Sequence, residues 1–133
     1  HDNAIGLIGV RGELGEARVD AEMLLQAALR MRPDRILLGE LRGSEAFTFL
    51  RAINTGHPGS ITTIHADSAE GALDQIVMLA LLGGANLQWD ALRRYAGRVI
   101  EILVHIERRG GARRVTEMRR VSRREDPAAG SAR

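Results

Sequence analysis

The run from Met31 to Asp67 constrains the fold more than any other part of this chain. It states one plan twice: a turn, a short apolar strand, then a titratable side chain at the strand's end. In the first copy, Pro33-Asp34 lead into the strand Ile36 to Leu38, Gly39 closes it, and Glu40 follows. So short an apolar run, with no polar alternation, suits a parallel strand covered on both faces. In the second copy, Gly56-His57-Pro58-Gly59 forms the turn, Ser60 to Ile64 the strand, and His65 stands at its end. Ligands of open α/β sheets bind just beyond the carboxyl ends of such strands. Glu40 and His65 are therefore the candidate chemical groups.

The rest of the chain fits around these strands. His1 to Val10 reads as a strand, with Ile5 and Leu7 on one face and Ala4, Ile8 and Val10 on the other. Gly12 to Gly15 reads as a turn. Asp20 caps a helix running to about Arg32, with Glu22 in its first turn and Pro33 as its stop. Leu24/Ala28 and Leu25/Leu29 set its apolar stripe. Ser44 caps a second helix on which Ala46, Phe49, Leu50 and Ile53 share a face, and Gly56 ends it. Asp67 or Ser68 caps a third, with Ala69, Leu73, Ile76, Val77, Ala80 and Leu81 inward, ended by Gly83-Gly84. Trp89 to Ala96 is a short fourth. Val99 to Glu107 alternates, placing Ile100, Ile102, Val104 and Ile106 on one face and Glu101, His105 and Glu107 on the other. Gly110-Gly111 turns the chain into a return strand, Arg113 to Val121. Residues 122–133, rich in Arg, Pro, Ala, Gly and Ser, read as a disordered tail.

Each candidate side chain has two readings. Glu40 can orient or deprotonate an attacking water, or it can simply pair with Arg42 or Arg35. His65 can donate to a phosphate oxygen, or it can bond a backbone carbonyl. Arg42 and Arg35 can grip a phosphate bidentately or serve as ion-pair partners. Thr62 and Thr63 can orient the loop or fill a strand. His57, among Gly56, Pro58 and Gly59, is a turn residue. The arginine pairs from Arg108 to Arg124 can attract DNA or anionic lipid. They are mixed with acids and lack interleaved aromatics for base stacking, so a solvated hairpin is the preferred reading.

Two runs carry a resemblance. Arg30-Met-Arg-Pro-Asp-Arg-Ile-Leu-Leu-Gly-Glu-Leu-Arg42 resembles the Walker B box of the secretion ATPases of the type II/type IV secretion and pilus-motor superfamily. Thr55-Gly-His-Pro-Gly-Ser-Ile-Thr-Thr-Ile-His-Ala66 resembles their His box. The wording is nearest the VirB11-like branch of type IV secretion and conjugal transfer, and likeness runs from His1, in a His-x-Asn strand with Asn3, to about Ile106. Two long boxes at the right separation are far more specific than a lone glycine pattern. The resemblance implies an α/β chain, a partial RecA-like P-loop NTPase fold with a C-terminal antiparallel β-hairpin, spanning residues 1–121 ahead of the tail. It implies Glu40 as the catalytic glutamate and His65 as a γ-phosphate sensor. Arg42, Arg35 and Thr63 become nucleotide or ion-pair contacts, and Gly39, Gly56 and Gly59 shape the boxes. Gly39 stands where most P-loop ATPases place a magnesium-binding aspartate, so the metal is expected to be held largely by groups outside this sequence.

The implied cofactors are ATP and Mg2+. The implied assembly is a homo-hexamer working with inner-membrane components of a secretion or conjugation machine, at the cytoplasmic face. Direct nucleic-acid binding is not expected, and peripheral membrane contact is compatible with the basic surface. A pilus-retraction or type II secretion motor is the alternative within the superfamily. The alternative outside it is a non-catalytic, arginine-rich scaffold module. Nothing matches Gly-x-x-x-x-Gly-Lys-Ser/Thr, and all 19 basic Lys-or-Arg positions are arginine. With that loop missing and His1 first, the expectation is the C-terminal part of a longer ATPase, inactive alone. The absence of cysteine excludes a disulfide framework. No apolar run approaches the ~20 residues of a membrane-spanning helix. The formal charge of +2 is small, although the all-arginine basic set gives a pI near 10.3.

Overall fold

A computed structural model describes residues 3–9 and 19–121. The expected turn at 12–15 and the tail at 122–133 lie outside the described residues. Among the described residues eight elements follow in order. They are α1 (Ala21–Arg30), β1 (Leu37–Leu38), α2 (Glu45–Asn54), β2 (Ile61–Thr62), α3 (Ala69–Leu82), α4 (Trp89–Val99), β3 (Ile102–Arg109) and β4 (Ala112–Arg120). Of the first expected strand, His1 to Val10, the described residues 3–9 take no regular structure, and Ile5 and Ile8 are exposed. An alternating segment becomes a strand only where a ladder and a cover receive it.

The helices form where the apolar periodicity and caps place them. Asp20 accepts from Met23 N at 2.9 Å and starts α1, while Ser68 accepts from Gly71 N at 3.0 Å and starts α3. Ser44, expected to cap α2, makes no side-chain cap bond. The carboxylate of Glu45 instead reaches back to the turn ahead of the helix, accepting from Arg42 N at 2.6 Å and Gly43 N at 3.0 Å. Helix α4 runs past the expected Ala96 to Val99, so β3 starts three residues later than expected, at Ile102. The core lies between helices. Leu50 of α2, Val77 of α3 and Leu92 of α4 are its largest fully enclosed side chains, with Leu25, Phe49, Ile76 and Ala80 around them.

Strands β1 and β2 pair in parallel, Leu37 opposite Ile61 and Leu38 opposite Thr62, joined through α2 as a βαβ unit. Their cover differs from expectation. Leu37 is 76% exposed and Ile61 63% exposed, so this pair is covered on one face only. An unbroken apolar run predicts two covered faces; among the described residues helices supply one. Strands β3 and β4 form an antiparallel hairpin with an irregularity between His105 and Ile106. Its covered face is likewise the reverse of the apolar reading. Ile102, Val104 and Ile106 point to solvent, joined by Val115 and Met118 of β4. Leu103, His105 and Glu107 form the half-buried face, and the hairpin rests on α3. No helix among the described residues is long and apolar enough to cross a membrane.

Candidate active site

The backbone bonds of the parallel pair continue beyond the two strands and fix the site. Ile61 N donates to Ile36 O at 3.0 Å, and Leu41 N to Thr63 O at 2.9 Å. Two hydroxyls fasten the same seam. Ser60 Oγ donates to His57 O at 2.8 Å and accepts from Ile36 N at 2.9 Å. Thr63 Oγ1 donates to Gly39 O at 2.7 Å. The ends of the two strands are therefore locked in register, and the side chains just beyond them must meet.

They do meet. Nε2 of His65 lies 2.7 Å from Oε1 of Glu40. Nε of Arg42 donates to Oε2 of the same carboxylate at 2.6 Å. The three groups differ sharply in exposure: the Glu40 side chain is 20% exposed, Arg42 69% and His65 93%. The His65 contact is close but misses the alignment of a hydrogen bond, so buried Oε1 has no donor among the described residues. One carboxylate oxygen is thus held by an arginine, and the other faces a solvent-exposed imidazole. The Arg42 hydrogen bond, against the opposing effect of burial and with the charges of Arg42 and His65, holds the Glu40 carboxyl below the usual carboxylate range. Glu40 is accordingly ionised at neutral pH, the state needed to accept a hydrogen bond from water.

The other expected site residues fall into place around this trio. Thr63 is a fastener between the boxes, through Gly39 O. Arg35 lies over Gly59, its Nε 3.3 Å from where a Cβ there would sit, and so belongs to the turn. Gly56 and Gly59 have φ of 130° and 73°, where glycine is strongly favoured. Gly39 is not among the positive-φ glycines and has open space around it. Its carbonyl, which any residue supplies, does the work seen here. His57 bonds Ala52 O through Nδ1 at 3.0 Å, as a turn residue should. A cavity of about 350 Å³ lies away from Glu40, among Glu70, Asp90, Arg93, Arg94, Leu103 and Arg119.

Three contributors were missed at the sequence level. Glu45, 5% exposed, holds the backbone that carries Arg42; its position in the first turn of a helix was the available signal. Ser60 joins the turn to β1, and only its place after Gly59 hinted at it. Glu117 of β4 accepts from Ala69 N at 3.2 Å across 48 positions of sequence, which no local pattern announces.

A parallel strand pair with a glutamate and a histidine meeting at its carboxyl end puts both groups where open α/β folds bind their ligands. The chain belongs to the Type II/IV secretion system protein family, whose pattern matches residues 4–116. Its similarity is to the VirB11-like branch. It is 45% identical over 118 residues to the type IV secretion system protein VirB11 of Bartonella quintana, across 87% of this chain and 33% of that protein. Over 107 residues it is 47% identical to the type IV secretion system protein PtlH of Bordetella pertussis, across 79% and 32%. The conjugal transfer protein TrbB of Rhizobium radiobacter is 42% identical over 100 residues, across 75% and 30%. The crystal structure of the VirB11 ATPase from the Brucella suis type IV secretion system, in complex with sulphate, superposes with a TM-score of 0.73 at 37% identity, across 77% of this chain and 32% of that one. The fold is thus the partial RecA-like α/β arrangement with its C-terminal antiparallel hairpin. The chain spans about a third of the length of these relatives.

Proposed function

We propose that the full-length protein is an ATPase motor that couples ATP hydrolysis to type IV secretion or conjugative transfer. The observation that carries this reading is the meeting of Glu40 and His65 at the carboxyl ends of two register-locked parallel strands, in a chain 42–47% identical to VirB11, PtlH and TrbB proteins. In this reading Glu40 orients the attacking water through Oε1, the oxygen that Arg42 does not bind, once His65 has turned from it to the phosphate. Its lowered basicity suits orientation better than outright proton removal. Arg42 fixes the carboxylate, and exposed His65 donates to the γ-phosphate. That phosphate is lost on hydrolysis, so a donor aimed at it distinguishes ATP from ADP.

ATP and Mg2+ are the cofactors required. Among the described residues no group of three or more His, Asp or Glu gathers around one point. The residues present do not by themselves build a magnesium site, and no step is assigned through the metal. A homo-hexamer at the cytoplasmic face of the inner membrane, working with inner-membrane components, is the assembly this reading carries. The secretion and conjugation relatives favour it over a pilus or type II motor and over a non-catalytic scaffold.

The test is Glu40→Gln in the full-length protein. ATP affinity stays close to wild type and turnover falls roughly 100-fold or more. Equal kcat in variant and wild type overturns the reading.

A further inference from the structure

The first turn of α3 is gripped from outside itself. Ser68 satisfies Gly71 N at 3.0 Å, but Ala69 N is satisfied by Oε2 of Glu117 on β4, at 3.2 Å. Glu70, the next residue, accepts from Arg119 of β4 and from Arg93 of α4. Arg93 also reaches Asp74, one helical turn along α3, at 2.6 Å. Glu117 and Arg119 lie two apart on one strand and so project from the same face. They stand opposite His105 and Leu103, on the covered face of the hairpin. The Glu117 carboxylate sits at the positive end of the α3 dipole, a favourable place for an anion.

This grip has a neighbour that gives it a role beyond packing. Only Ala66 and Asp67 separate His65 from Ser68. Upstream, Thr63 is fixed to the Glu40 strand through Gly39 O and Leu41 N. Downstream, the loop ends on the turn that Glu117 and Arg119 hold. His65 itself is almost wholly exposed and, among the described residues, has no side-chain partner other than Glu40. A side chain with so few contacts of its own takes its place from the two ends of its loop. One end is the strand register, and the other is the hairpin.

We propose that Glu117 and Arg119 are positioning residues for His65, so that the C-terminal hairpin sets where the imidazole stands against Glu40 and is moved when His65 moves. The inference rests on the reading of His65 as the group that distinguishes ATP from ADP. It adds to that reading the element through which the distinction leaves the site. Coupling of this kind requires that the two nucleotides hold the loop differently. The hairpin then has two positions rather than one.

The test measures ATP and ADP affinities and melting temperature for the full-length protein, for His65→Ala, and for the double change Glu117→Ala with Arg119→Ala. The hairpin variant is expected to lose at least about 5-fold in the ratio of ATP to ADP affinity. Glu117→Gln keeps an acceptor oxygen for Ala69 N, and Arg119→Lys keeps a cation for Glu70; each restores most of the ratio. If the double variant melts below the assay temperature, the single alanine changes carry the same comparison. A lowered melting temperature with an unchanged ratio overturns the proposal and leaves the two residues as a staple. An unchanged ratio in His65→Ala overturns the sensor reading itself. A reduced ratio in His65→Ala beside a wild-type ratio in the hairpin variants overturns only the present inference.

Discussion

At the scale of single residues, Arg42 and Glu45 do more than their types suggest. Arg42 depresses the pKa of Glu40 mainly through its hydrogen bond. In the proposed role the group acts ionised, so activity is expected to persist down to a pH below the usual carboxylate range and to be lost as pH falls through the lowered value. Arg42→Gln removes the largest part of the depression. The acid limb of kcat is expected to move to higher pH, measurable as a pH–rate profile of the full-length protein; an unmoved limb excludes Arg42 as the tuning group. Glu45 is a buried carboxylate whose ligands are backbone N–H groups of Arg42 and Gly43. Replacing it with Ala orphans both donors and is expected to cost about 1–3 kcal/mol, read by denaturant unfolding. Glu45→Gln retains one acceptor and should cost less. Glutamate at the start of a helix was visible in the sequence. That it, and not Ser44, would close the turn depends on where Arg42 N and Gly43 N point, which is decided only when β1 has found β2.

At the scale of elements, the helices were legible and the strand faces were not. Asp20 and Ser68 cap as expected, and Phe49, Leu50, Ile76 and Val77 all reach the core. Periodicity over ten or more residues specifies a face, and on a helix the apolar face is the buried one. In the hairpin, alternation grouped Ile102, Val104 and Ile106 correctly, yet this group faces solvent while Leu103 and His105 turn inward. Alternation says which side chains travel together, not which side meets a helix. Two substitutions follow from the difference. Leu92→Ala on α4, fully buried, is expected to cost about 2–5 kcal/mol. Ile106→Thr on the open face should stay within about 0.5 kcal/mol. Urea unfolding of both variants against the parent chain measures the contrast, and equal losses would show that the open face is covered. The site was half legible for the same reason. Glu40 and His65 follow strand ends, which local sequence marks, whereas Glu117 and Arg119 meet Ala69 and Glu70 only through tertiary packing.

At the scale of the whole molecule, the modest net charge conceals how the arginines are used. Arg93 and Arg119 are committed to Glu70, Arg42 to Glu40, and Arg109 to Glu107. The hairpin arginines are thus partly neutralised, and no aromatic side chains accompany them. Changing Arg113, Arg114 and Arg120 to Ser is expected to alter DNA affinity and its salt slope little. A large loss with a clearly shallower slope, in a titration against salt, would reveal a genuine phosphate-binding face. The seam between β1 and β2 has a consequence for chain length. Four cross-bonds, Ile36 N to Ser60 Oγ, Ile61 N to Ile36 O, Thr63 Oγ1 to Gly39 O and Leu41 N to Thr63 O, fix the spacing from Ile36 to Leu41 against that from Ser60 to Thr63. A single residue inserted at Gly39 would turn every later side chain of the segment to the opposite face, carrying the carboxylate away from the imidazole. The same residue inserted at Thr55, where α2 has ended and Gly56 already bends the chain, would be taken up by the loop. The two segments therefore act as a gauge of fixed length, and variation in length among working versions of this protein belongs in the connections between them.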